Sequence, residues 1–149
     1  MKPIRGDNMT KQDLRNYTSL KKELEQINER IQELERAKYS ISSPTWSDMP
    51  TGGHGDHDKI GAMLTRIEEQ TEMYWDKYKE LLEIQSDIEE KIEKLEPIER
   101  TVMRYKYFEG KTFEDIADII NYSFTTVRRI HKRSIEKLHK TQHEQRRTL

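Results

Sequence analysis

Apolar residues at Leu14, Tyr17, Leu20, Leu24, Ile27, Ile31 and Leu34 recur at spacings of three and four, which keeps them on one stripe of a helix. The pattern predicts a helix from Thr10 to Lys38. A second series, Ile60, Leu64, Ile67, Thr71, Tyr74, Tyr78, Leu81, Gln85, Ile88, Ile92 and Leu95, alternates four and three, the heptad spacing of a coiled-coil seam. It predicts a longer helix from Asp58 to Glu96. Neither helix buries its stripe alone.

Between them, residues 39–57 carry Pro44, Pro50, Gly52, Gly53 and Gly55, a composition that interrupts a helix and predicts a loop. The simplest arrangement is an antiparallel hairpin over residues 10–96, although pairing between chains uses the same stripes. The second helix outruns the first, leaving Ile88, Ile92 and Leu95 to be covered by another chain or by the C-terminal domain. That overhang predicts a homodimer or higher homo-oligomer. Trp46, Met49 and Pro50 are read as folding back on the hairpin tip, with partner contact as the alternative, and Tyr74, Trp75 and Tyr78 as packing within the seam.

At Glu96-Pro97 the pattern changes. Proline lacks an amide hydrogen but suits the first turn of a new helix, which should run from Pro97 to Phe108 and stop at Gly110. Thr112, followed three residues later by Asp115, reads as a capping box opening a short helix to Ile120. Asn121 falls where a left-handed residue is needed. Ser123 is a good N-cap for a last helix reaching Lys140. In this bihelical segment Ile116, Ala117, Ile120, Tyr122, Val127 and Ile130 are expected to close a small core that holds the last helix at a fixed angle. The opposite face carries Phe124, Thr125, Arg128, Arg129, Lys132 and Arg133. The fold class is all-α: a helical hairpin, residues 97–140 as a three-helix helix-turn-helix domain, a disordered segment over 1–9 and a frayed polar tail over 141–149.

Charge changes the picture at the C-terminus. Residues 123–149 hold eight Lys and Arg against two Glu, leaving 19 basic against 26 acidic residues in the rest. An acidic body with a basic end suggests that the end meets a polyanion. With charged residues at 37% and hydrophobic ones at 32%, much of the chain should be long amphipathic helix rather than compact globule. No cysteine is present, which excludes thiol nucleophiles and thiolate zinc sites. The opening residues carry no apolar run behind Lys2 and Arg5, so neither secretion nor membrane insertion is expected, and the bacterial host cytoplasm is the expected compartment.

The segments Leu95-Glu-Pro-Ile-Glu-Arg, Arg104-Tyr-Lys-Tyr-Phe-Glu-Gly-Lys-Thr, Glu114-Asp-Ile-Ala and Tyr122-Ser-Phe-Thr-Thr-Val-Arg-Arg-Ile with Ile135-Glu-Lys-Leu resemble sigma-70 region 4. Taken with the hairpin and the Ser43-Pro-Thr-Trp-Ser-Asp-Met-Pro-Thr-Gly stretch, the chain resembles phage and prophage late-gene transcription regulators of the ArpU and RinA type. The resemblance implies double-stranded DNA as partner and RNA polymerase as a further candidate. It places Ser123, Phe124, Thr125, Thr126, Arg128, Arg129, Lys132 and Arg133 at the DNA. Thr125 stands where family members use a Glu that accepts from a cytosine amine, which puts ordinary promoter reading in doubt. No aromatic-rich domain for melting DNA accompanies it, so a complete sigma factor is not expected. The alternatives are a sigma-like polymerase-binding factor and a small terminase subunit for DNA packaging.

Other chemistry is sparse. His54, Asp56, His57 and Asp58 lie among glycines with no fixed geometry, and His139 with His143 lacks a third ligand nearby, so no metal is assigned. With no phosphate loop and no nucleophile beside a base, neither an enzyme nor a cofactor is expected.

Overall fold

The computed structural model describes residue 9, residues 11–42 and residues 54–145. These form five helices: α1 Lys11–Ser42, α2 His54–Ile92, α3 Pro97–Tyr107, α4 Phe113–Ile120 and α5 Phe124–Gln145. Both long helices encroach on the expected 39–57 loop. Residues 43–53, with Trp46, Met49 and Pro50, lie outside the described residues, as do 1–8 and 146–149 at the termini. Met9, the last residue of the segment expected to be disordered, is buried. Helix α2 stops at Ile92 because the chain tightens there, with Lys94 N–H on the Lys91 carbonyl and Leu95 N–H on that of Ile92. The residue before Pro97 must leave the helical region, and Glu96 sits at φ −66°, ψ 155°.

The chain divides into two compact units, one of Met1–Ser19 with Glu80–Leu149, the other of Leu20–Lys79. In each, early α1 meets late α2: Tyr17 Oη donates to Gln85 Oε1 at 3.2 Å in the first, and Lys77 pairs with Glu23 at 2.7 Å in the second. The two helices are therefore the antiparallel hairpin.

Leu20–Lys79 buries Leu20, Leu24, Leu34 and Ile67. Tyr74 and Tyr78 stack at 6.0 Å. Trp75, read as packing within the seam, is instead 53% exposed, and Leu64 of the heptad series is 43% exposed. A strict heptad drifts by ~20° per repeat around a straight helix, so such a series walks off the facing surface.

In the other unit Leu14, Tyr17, Leu81, Ile84, Ile88, Ile92 and Leu95 are all buried. Ile84 rather than Gln85 fills the buried row. Of the two covers expected for the overhang, another chain or the C-terminal domain, cover within the one chain is what is found: Ile88 and Ile92 are both 0% exposed. The ring of Tyr17 meets Phe108, at the end of α3, edge to face at 5.6 Å, so the start of α1 packs directly on the C-terminal helices.

Candidate nucleic-acid interface

Helices α3, α4 and α5 close around Val102, Ile116, Ala117, Val127 and Ile130, with Ile98, Tyr105, Phe113 and Ile120 against them. Each turn between them is built from the residue types that specify it. Gly110 takes φ 66°, a left-handed conformation that costs a glycine little, and Lys111 N–H then reaches the Tyr105 carbonyl at 2.9 Å. Thr112 caps α4 by accepting from Asp115 N–H at 3.1 Å, while Asp115 accepts from Thr112 N–H at 3.1 Å, a reciprocal capping box. These bonds hold the Asp115 carboxyl below the usual range. Asn121 adopts φ 58°, ψ 46°, where asparagine is tolerated better than most side chains. Ser123 caps α5 through Thr126 N–H at 3.2 Å.

Tyr122 departs from expectation. It was assigned to the mini-core but is 48% exposed, because the left-handed step at Asn121 turns the next side chain outward while its N–H bonds the Ala117 carbonyl. The apolar positions Val127, Ile130, Ile135 and Leu138 of α5 are buried, at spacings that define one face. The opposite face presents Thr125, Arg128, Arg129, Lys132 and Arg133, all exposed.

That face borders an open groove of about 550 Å³ whose walls include Phe113, Phe124, Thr125, Arg128, Arg129 and Lys132. Phe124 is 40% exposed, held edge-on by Phe113 at 6.5 Å, with the Arg128 guanidinium 5.7 Å from its ring centre. Under the groove, His131 Nε2 and Tyr107 Oη share a 2.7 Å hydrogen bond. Burial, and then the charges of Lys106, Lys11 and Arg128, push His131 down to about 4, so it is neutral at physiological pH. Burial pushes the Tyr107 hydroxyl up to about 12.

The domain thus has a short capped helix, a tight left-handed turn, and a second helix presenting arginines away from the core. Residues 92–140 match the family model for sigma-70, region 4. No curated protein and no solved structure matches the chain. The C-terminal part is a region 4-like DNA-binding helix-turn-helix, with α4 and α5 as its two helices.

Within that frame the expected site residues have different surroundings. Ser123 and Thr126 turn their hydroxyls toward each other at 2.8 Å and serve the cap. Arg128 lies over the Phe124 ring, while Thr125, Arg129 and Lys132 are exposed and pair with no carboxylate among the described residues. Arg133 bends back, its Nε donating to Glu99 Oε1 at 2.8 Å.

Glu99 was missed in the sequence because it sits in a charged stretch that looks like solvated surface. It is 0% exposed and also accepts from Lys137 Nζ at 3.0 Å and from Glu96 N–H at 3.1 Å. Burial alone would raise its pKa, but the bonds from Lys137, the Glu96 amide and Arg133 overcome this and hold it below the usual carboxylate range. At and just beyond the end of α2, Glu89 and Glu93 both bond Arg104 of α3, while Glu96 pairs with Lys137 of α5 at 3.5 Å.

Of the candidate metal residues, His57, Asp58 and His139 are exposed. The side chains of His54, Asp56 and His143 lie outside the described residues.

Proposed function

We propose that this chain is a sequence-specific DNA-binding transcription regulator of phage or prophage origin, of the ArpU and RinA late-gene type, working through its region 4-like helix-turn-helix. The observation that carries the reading is the exposed face of α5. Thr125, Arg128, Arg129 and Lys132 are held outward by a helix whose other face is locked in a core, as insertion into a major groove requires. The side chains divide by position: Phe124, Thr125 and Arg129 early in the helix read base edges, while Lys132 lies where the helix leaves the groove and meets phosphate. The phage assignment rests on the resemblance of the hairpin and of the 43–52 stretch.

Footprinting against the genome of origin tests the proposal. A protected operator beside a promoter is expected. Protection confined to a packaging site would replace it with a terminase subunit, and no protection anywhere would remove it.

A further inference from the structure

Helix α1 lies outside the segment that matches region 4, yet its first residue reaches the DNA-reading face. Lys11 borders the same groove as Thr125, Arg128, Arg129 and Lys132. That groove carries four cationic side chains and no carboxylate among its walls. Lys11 is exposed, and its ammonium forms no ion pair with another described residue.

The helix that Lys11 opens is anchored on its other face. Met9 at 1%, Leu14 at 1% and Tyr17 at 2% exposure flank it on the buried side, and Tyr17 is locked by its bond to Gln85 and its ring contact with Phe108. Lys11 is therefore an exposed charge at the start of a helix whose other face is packed. Arg15, also exposed, follows one turn later on the same face. The field of Lys11 reaches His131 beneath the groove, as that of Arg15 reaches Tyr107.

Four uncompensated cations around one groove repel one another, and a polyanion relieves that repulsion. We infer that the first turn of α1 is a second DNA-contacting element, with Lys11 bonding a backbone phosphate beside the groove that α5 enters. The inference rests on reading α5 as the DNA-entering helix. Phosphate is the fitting target, because Lys11 projects from a neighbouring helix rather than from α5 itself and an ammonium is a compact point charge without the planar fork that reads guanine. The contact lends affinity to every sequence and preference to none.

The test uses the full chain and a random-sequence DNA duplex, with binding followed by fluorescence anisotropy over a series of salt concentrations. Lys11→Gln, which keeps the length and helical propensity of the side chain, should weaken binding about three- to tenfold and lower the slope of log K against log salt by roughly one. Lys11→Arg should keep the slope, and all variants should keep the wild-type melting temperature. An unchanged slope in Lys11→Gln, with Lys132→Ala still lowering it, overturns the inference and leaves the α5 reading standing. Absence of salt-dependent binding by the wild type overturns both.

Discussion

Glu99 Oε1 on α3 accepts a 2.8 Å hydrogen bond from Arg133 Nε on α5, so a carboxylate with no solvent exposure ties down one of the basic residues of the last helix. Removing Glu99 frees the half-exposed Arg133 and Lys137 to water but leaves the Glu96 amide without its acceptor, so Glu99→Ala is expected to cost about 1–3 kcal/mol. Arg133 is half exposed, and Arg133→Ala should cost only about 1 kcal/mol. Lys132→Ala, which breaks nothing internal, should leave stability unchanged. Urea midpoints of the three variants check the ranking, and equal midpoints for Arg133→Ala and Lys132→Ala would contradict it.

Arg129 and Lys132 should divide the work of binding. Losing an arginine fork from guanine costs about 1–3 kcal/mol at one base position, while losing a phosphate contact weakens all sequences alike and lowers the salt slope by roughly one. Affinities over single-base variants of the selected site decide. A change of base preference in Lys132→Ala, with uniform weakening in Arg129→Ala, would mean that α5 lies the other way in the groove.

Phe124 is an apolar group on a polar reading face, and the C5 methyl of thymine is the base-edge feature that an apolar side chain reads. Phe124→Ala should lose preference for thymine at one position. Replacing that thymine with uracil, which removes only the methyl, should weaken the wild type and leave the variant unaffected. Equal responses of the two proteins would exclude the contact.

His131 sets a pH dependence. Its folded pKa of about 4 lies below its ordinary 6.5, so the unfolded chain takes up the proton first and stability falls as pH drops through that window. The loss is on the order of 2 kcal/mol by pH 5. His131→Gln should be less sensitive between pH 7 and 5, the window above the acid range in which Glu99 titrates. The same loss in both proteins would place the dependence elsewhere.

Ile92 belongs to the row for which another chain or the C-terminal domain was the expected cover, and it is buried within one chain. Ile92→Ala should cost about 2–5 kcal/mol, and its melting temperature should not rise with protein concentration. A concentration-dependent melt would show that burial at this position is completed by another copy.

Much of this domain was legible because its punctuation is local. Thr112 with Asp115, Asn121, Ser123 and Gly110 each perform the turn or cap that their chemistry suggests, and the basic face of α5 follows from helical spacing. What was hidden depends on contacts between distant parts of the chain. Glu99 and Arg133 are 34 residues apart, Tyr107 and His131 are 24 apart, and Lys11 reaches its groove only because α1 returns beside α3. Tyr122 has the apolar character of a core residue but is exposed, because the backbone turn at Asn121 aims it outward. Leu64 and Trp75 show the limit of reading a seam from period alone, since the facing surface depends on how the helix winds.

The division of the chain bears on how it is made. Leu20–Lys79 is one uninterrupted stretch, whereas the other unit takes its residues from both sides of it. During synthesis the stretch from Leu20 to Lys79 emerges early, and its closure draws Ser19 toward Glu80 across a gap whose entropic cost rises only slowly with length. Tyr17 can bond Gln85 as soon as the end of α2 emerges, but its ring contact with Phe108 waits until α3 has followed. A nascent chain halted before α3 would therefore hold the start of α1 by α2 alone, and the groove that Lys11 borders would be completed in a single step, with the last helix.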